Sequence, residues 1–213
     1  MKKKLAIFDV DFTITRRETL MELYKYSIKE NKKNIRYLPR ALYGGAMYLA
    51  SVYDEKRVKE SFLKFIDNTD EKELKEFVKR FYNNRLSKIL YSDSLEMMKK
   101  LKKEGYDIYL ISASPEFYLN ELYSIKEVDK IIGTRFSFEN GKFKRKMIGN
   151  NCKGEEKVRR LNEVLKKENI EVDYEKSYMF SDSLSDKPLL DLVGNAYLIN
   201  YKKNSDIEIL KWK

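Results

Sequence analysis

Apolar and polar residues follow two rhythms along this chain. Short apolar runs occur at 4–8 ("KLAIF"), 107–112 ("DIYLIS"), 177–181 ("SYMFS") and 196–200 ("AYLIN"). Their length and continuity predict strands buried on both faces. "KIIG", at 130–133, is a shorter candidate. Between these runs the apolar positions recur at helical spacing, in "DSLEMMKKLKKEG" (93–105) and "GEEKVRRLNEVLKKEN" (154–169). Gly105 ends the first of these helices. Strands alternating with helices predict an α/β fold with an open parallel sheet.

One stretch departs from this alternation. From 16 to 90 no strand pattern appears, and helices are expected over 18–31, 36–52, 55–67 and 71–90. An all-helical segment inserted after the first strand reads as a cap, because ligands of such folds bind at the carboxyl ends of the strands. The expected organisation is a core of residues 1–15 and 91–213 with a cap of 16–90. A second departure is 134–149, where Asn140-Gly141 lies between alternating aromatics and predicts a hairpin.

Composition narrows the chemistry mostly by what it lacks. None of the 213 residues is histidine, which excludes Ser-His-Asp and Cys-His catalysis and histidine-bound zinc. Cys152 is the only cysteine, so no disulfide framework exists, and a reducing, cytoplasmic setting is expected. Neither a secretory leader nor a membrane span is evident: the run after Lys2–Lys4 ends at Asp9, and the least polar stretch, 41–53, is shorter than the ~20 residues a span needs. "GNNCKGEE" (149–156) lacks the Lys and Ser/Thr of a phosphate-binding P-loop. The net charge of +10 admits a nucleic-acid or anionic-surface partner, but the basic residues are dispersed among glutamates rather than striped. The expected partner is a small phosphorylated metabolite, with neither nucleic acid nor membrane.

The residues at the strand ends carry the chemistry. The first strand runs into Asp9 and Asp11, followed by Thr13. The second ends at Ser112, Ala113 and Ser114, and the third at Asp182, with Asp186 four residues on. Lys153 stands just before a helix. Singly, each reads better as a turn former, a helix cap or a solvated charge than as a functional group. In a parallel sheet all of them meet at one rim. Carboxylates crowded in this way repel, and a hard cation such as Mg²⁺ relieves them. Hydroxyls and a lysine beside that cation suit a phosphate group.

These ordered motifs resemble the haloacid dehalogenase superfamily of phosphohydrolases, in its phosphoserine phosphatase-like subgroup (subclass IB). The quoted residues are Asp9-Val10-Asp11-Phe12-Thr13, Ser112, Lys153, and the pair Asp182 and Asp186. The resemblance implies a Rossmann-like three-layer α/β/α core with a helical cap after the first strand. It implies Asp9 as nucleophile, Asp11 as acid and base, and Lys153 as a charge-offsetting catalytic group. Mg²⁺ would be held by Asp9, Asp11 and Asp182, with Asp186 supporting. Phosphate would meet Thr13, Ser112, Ala113 and Lys153. Glu18 and Arg57 would meet the rest of a substrate, as in phosphoserine phosphatases. Phe12 stands where those enzymes usually have serine, and Ser112-Ala113-Ser114 and Asp182-Ser183-Leu184-Ser185-Asp186 also depart from their pattern. The implied activity is Mg²⁺-dependent phosphomonoester hydrolysis, with phosphoserine as one candidate substrate. The competing reading is a basic binding protein that uses the fold without catalysis.

Overall fold

The apolar runs become the centre of a seven-stranded sheet. The computed structural model describes residues 2–213. Its strands are β1 (Lys4–Phe8), β2 (Tyr106–Pro115), β3 (Val128–Glu139), β4 (Lys142–Ile148), β5 (Tyr178–Ser181), β6 (Asn195–Ile199) and β7 (Glu208–Leu210). They lie in the order β4-β3-β2-β1-β5-β6-β7. All neighbours are parallel except β3 and β4. That pair forms the expected hairpin, and Asn140 and Gly141 both take the positive φ that a tight I′ turn requires.

Alternation within the central strands builds two cores. Ala6, Phe8, Ile108, Leu110 and Phe180 face one side; Leu5, Ile7, Tyr109, Ile111 and Met179 face the other. The first side is covered by α5 (Ser92–Lys103) through Met98 and Leu101. The second is covered by α7 (Glu155–Lys167) through Leu161 and Leu165, and by the short α8 (Lys187–Leu190). The result is the Rossmann-like α/β/α layering. The short edge strand β7 was not among the expected strands; its three residues are too few to show a pattern.

Between β1 and α5 the chain is helical: α1 (Thr19–Glu30), α2 (Leu38–Leu49), α3 (Glu55–Phe62) and α4 (Glu71–Asn84), joined by 3₁₀ turns. Thr15 and Leu90 pair as an antiparallel bridge where this segment leaves and rejoins the sheet. The segment is not a detached lid. Leu23, Tyr24, Val78 and Phe81 share one continuous apolar cluster with Phe8 and Tyr118. It is also laced to the β3–β4 hairpin, with Asn68 N–H donating to the Phe143 carbonyl (2.9 Å) and Phe143 N–H to that of Thr69 (2.9 Å). Another short helix, α6 (Glu116–Leu119), follows β2 directly.

Successive connections leave β1 in opposite directions, to β2 on one side and β5 on the other. Ligands in open α/β sheets bind in the crevice at this reversal, beyond the strand carboxyl ends. Asp9 and Asp182 follow β1 and β5 at that crevice.

Candidate active site

The loop after β1 delivers its two carboxylates to different partners. Asp9 N–H extends the β1–β5 ladder by donating to the Phe180 carbonyl (2.9 Å). Its Oδ1 accepts from Lys157 Nζ at 2.7 Å. Among the described residues Asp11 has no cation in hydrogen-bond contact. Its Oδ1 accepts from the backbone N–H of Thr19 (2.7 Å), at the start of α1, and its Oδ2 from the Ser114 hydroxyl (2.6 Å). The Thr19 hydroxyl in turn contacts Ser114 Oγ (3.2 Å) and Tyr118 OH (2.9 Å). A buried hydroxyl network therefore fixes Asp11.

Phe12 allows the two orientations to coexist. Its φ is 56°, a left-handed conformation that bulky side chains rarely adopt, and its ring is half exposed. Strain of this kind concentrates at functional sites. The next residue, Thr13, is buried, and its Oγ1 accepts from the backbone N–H of Asp182 (2.9 Å), tying the β1 loop to the β5 loop.

The lysine at the acidic cluster is Lys157, where the sequence reading has Lys153. Lys157 is buried and reaches Asp9 and also Asp186 Oδ2, at 2.6 Å. Asp186 Oδ2 accepts as well from Ser181 Oγ (2.8 Å). Lys153 points instead to Glu55 of α3, at 2.5 Å, and is half exposed. Helix geometry is the reason. α7 begins only after Gly154, whose φ of 55° breaks the path, so Lys153 precedes the helix. Lys157 lies in its first turn, on the buried stripe shared with Arg160, Leu161 and Leu165. A lysine on an otherwise inward-facing stripe was the available signal.

Around Ser112 the backbone is clamped. The Ala113 carbonyl accepts from Lys59 Nζ (2.5 Å) and from the Thr134 hydroxyl (2.6 Å). The following N–H, of Ser114, donates to Ser112 Oγ (3.1 Å). Lys59 comes from α3 and also donates to Asn151 Oδ1 at 2.7 Å. It was not among the expected residues, since one more lysine in a chain with 44 basic residues carries no signal. Arg57 is not brought to the cluster: its guanidinium lies over the Tyr53 ring (4.1 Å), beside a surface groove lined by Tyr48, Leu49, Lys56 and Glu60. Glu18 caps α1 by accepting from Met21 N–H (2.6 Å).

The electrostatics show a site short of positive charge. Burial pushes the Asp9 carboxyl up to about 7, with Asp186 and Asp11 adding repulsion that Lys157 does not fully offset. Burial, then the Asp186 charge, pushes Asp182 up to about 6. Burial, then Asp11, pushes Glu18 up to about 7. Burial opposes the charge of Lys157, but Asp9 and Asp186 outweigh it and hold the ammonium above its ordinary range. Burial lowers Lys59 to about 8 although Asp11, Glu55 and Glu18 favour its charge. The Cys152 thiol is pushed up to about 11 by burial, which keeps it protonated and unreactive.

That donor set fits a hard cation. Asp9 and Asp182 are carboxylates on adjacent loops whose charge the surroundings leave uncompensated. Among the described residues no three His, Cys, Asp or Glu side chains form a ready-made cage. Mg²⁺ does not need one, because it binds through one or two carboxylates and keeps several waters.

Parallel strands, a crevice at the sheet's reversal, and carboxylates, hydroxyls and one buried lysine gathered there define a Rossmann-like hydrolytic enzyme. The family model for haloacid dehalogenase-like hydrolases matches residues 6–191, and the chain belongs to that family. A probable phosphatase of Mycobacterium tuberculosis is 23% identical over 92% of this chain and 68% of its own. A histidinol-phosphatase of Neisseria meningitidis is 26% identical over 93% of this chain and 90% of its own. A substrate-bound phosphoserine phosphatase structure superposes with a TM-score of 0.66 at 19% identity, over 98% of this chain and 93% of that one, a likeness of fold. The enzyme class of the chain is phosphatase.

Proposed function

We propose that this chain is a Mg²⁺-dependent phosphomonoesterase that works through an aspartyl-phosphate on Asp9. The observation that carries the reading is the division of partners between Asp9 and Asp11. Lys157 donates to Asp9 and opposes the burial that raises its carboxyl, favouring the charged form a nucleophile needs. Asp11 is held by the Thr19 N–H and the Ser114 hydroxyl, which orient its carboxyl.

In the first step an Asp9 oxygen attacks phosphorus while the bond to the leaving oxygen breaks, and Asp11 gives that oxygen its proton. In the second, Asp11 takes a proton from a water, whose oxygen attacks phosphorus. The bond between phosphorus and Asp9 breaks, freeing orthophosphate. Ser112 and the clamped 112–114 backbone receive phosphoryl oxygens, and Lys157, rather than Lys153, offsets their charge across Asp9. Asp9, Asp182 and the Asp11 carbonyl would hold Mg²⁺, with Asp186 behind them keeping Lys157 in place. The ion supplies positive charge to phosphoryl oxygens, the usual largest contribution in such sites.

The substrate class is a small phosphorylated metabolite. Phosphoserine is a second reading, favoured by one observation: an acid, Glu18, and a base, Lys59, both lie close enough to Asp11 to feel its charge. Glu18 would meet an amine, and Lys59 would meet a carboxylate in the place expected of Arg57. Cys152, buried and alone, fits a reducing cytoplasmic setting.

Asp9→Asn tests the reading. With p-nitrophenyl phosphate and Mg²⁺, phosphate release is expected to disappear while the fold persists, and Asp11→Asn is expected to leave slow turnover. Full activity in Asp9→Asn would sink the assignment.

A further inference from the structure

We infer that the outer face of α2, with the turn that precedes it, docks on an anionic lipid surface. This goes beyond the hydrolytic reading and does not depend on it. Residues 31–53 contain no acidic side chain, in a chain that carries 34, and four basic ones: Lys32, Lys33, Arg36 and Arg40. The same stretch exposes an unusual amount of apolar surface. Leu49 is 86% exposed, Leu42 65%, Val52 61% and Ile35 58%.

The placement is organised. Leu38, Leu42 and Leu49 are spaced i, i+4 and i+11, which sets them along one helical stripe. Gly45 lies on that stripe with open space where a Cβ would stand. The inward side is different: Gly44 is buried against Ser61 of α3, and Arg40 donates to Ser61 Oγ at 3.2 Å. Lys32, Lys33 and Arg36 therefore flank the apolar stripe at its N-terminal end, all exposed. Leu49 and Val52, at the far end, share a groove with Asp54, Lys56, Arg57 and Glu60, so the anion-seeking end of the face is its N-terminal one. There exposed Ile35, Leu38 and Leu42 accompany Lys32, Lys33 and Arg36 without an acidic neighbour in sequence, as on an interfacial helix at anionic lipid. Nucleic acid would leave the aliphatic stripe without an apolar partner. No helix among the described residues is long and apolar enough to cross a membrane, so the contact is with the surface.

The full chain is to be sedimented with phosphatidylcholine vesicles, with and without phosphatidylglycerol. Binding is expected only with the anionic lipid, and is expected to weaken as salt rises. Leu42→Asp with Leu49→Asp, and separately Lys32→Glu with Lys33→Glu, are each expected to weaken binding about tenfold or more. These side chains are solvent-exposed, so p-nitrophenyl phosphate hydrolysis in free solution is expected to stay unchanged. The proposal is overturned by failure to bind anionic vesicles or by equal binding to the neutral ones. It is equally overturned if both variant pairs bind like the parent, or if a dimer dissociated by the Leu42/Leu49 pair proves to be what covers the face.

Discussion

Lys157 donates to Asp9 at 2.7 Å from the first turn of α7, where it has almost no solvent contact. The same ammonium holds Asp186 at 2.6 Å. One cation thus joins two loops of the sheet rim. Removing it would strand two buried carboxylates, at a cost of about 3–5 kcal/mol. Lys157→Met is expected to lower kcat by at least about a hundredfold and to lower the melting temperature. Lys153→Met, which loses only a half-exposed pair with Glu55, is expected to stay within a few-fold of the parent. Steady-state kinetics of the two variants side by side decide between the lysines; equal losses would show that Lys157 has no special place.

Metal binding is expected to depend on pH. Asp9 and Asp182 hold their protons more tightly in the folded chain than in the unfolded one, titrating at about 7 and about 6. Their contribution to stability is present at low pH and is lost as pH rises through those values. Mg²⁺ competes with the same protons. Its stabilisation of the chain, read as the rise in melting temperature over a chelator control, is expected to be larger near pH 8 than near pH 5.5. Asp182→Asn is expected to reduce that rise. A rise independent of pH would contradict the proposed ligands.

Lys59 is expected to govern affinity for an acidic substrate. Its ammonium loses its proton at about 8, so KM for a phosphorylated amino acid is expected to climb as pH passes that value. Lys59→Arg keeps the charge and is expected to flatten the profile. Lys59→Met is expected to raise KM for the phosphorylated amino acid about tenfold at neutral pH, the worth of one charge-assisted hydrogen bond, and, because the same ammonium clamps the Ala113 carbonyl, to lower kcat on p-nitrophenyl phosphate as well. An unaltered KM would remove Lys59 from substrate recognition.

The Ser114 hydroxyl positions Asp11 and stays off the phosphoryl group in the proposed mechanism. Ser114→Ala takes away one of two neutral donors to that carboxylate, the 2.6 Å hydroxyl. kcat is expected to fall about tenfold for alkyl phosphates, whose leaving oxygens need a proton. It is expected to fall little for nitrophenyl phosphate, whose leaving group does not. Equal losses on both substrates would point to a general structural defect.

The order of elements and the residues at the strand ends were legible in the chain. Buried parallel strands are continuous apolar runs, and a charge at the end of such a run is conspicuous, which made Asp9, Asp11, Ser112 and Asp182 readable. The Asn140-Gly141 turn was legible because its backbone accepts few other residues. Lys157, Lys59 and the disposition of Arg57 were not. A lysine's four-carbon stem carries its charge several ångströms from its own backbone, and the sequence contains many such stems.

By itself, then, the sequence determined which backbone segments meet at one rim and which carboxylates they bring, because strand burial and turn chemistry are local properties. Tertiary structure alone decided which lysine neutralises them. That choice depends on where α7 starts after Gly154 and which of its faces meets the sheet. It also brought Lys59 of the helical segment onto the Ala113 carbonyl, a contact between residues 54 positions apart that only packing brings together.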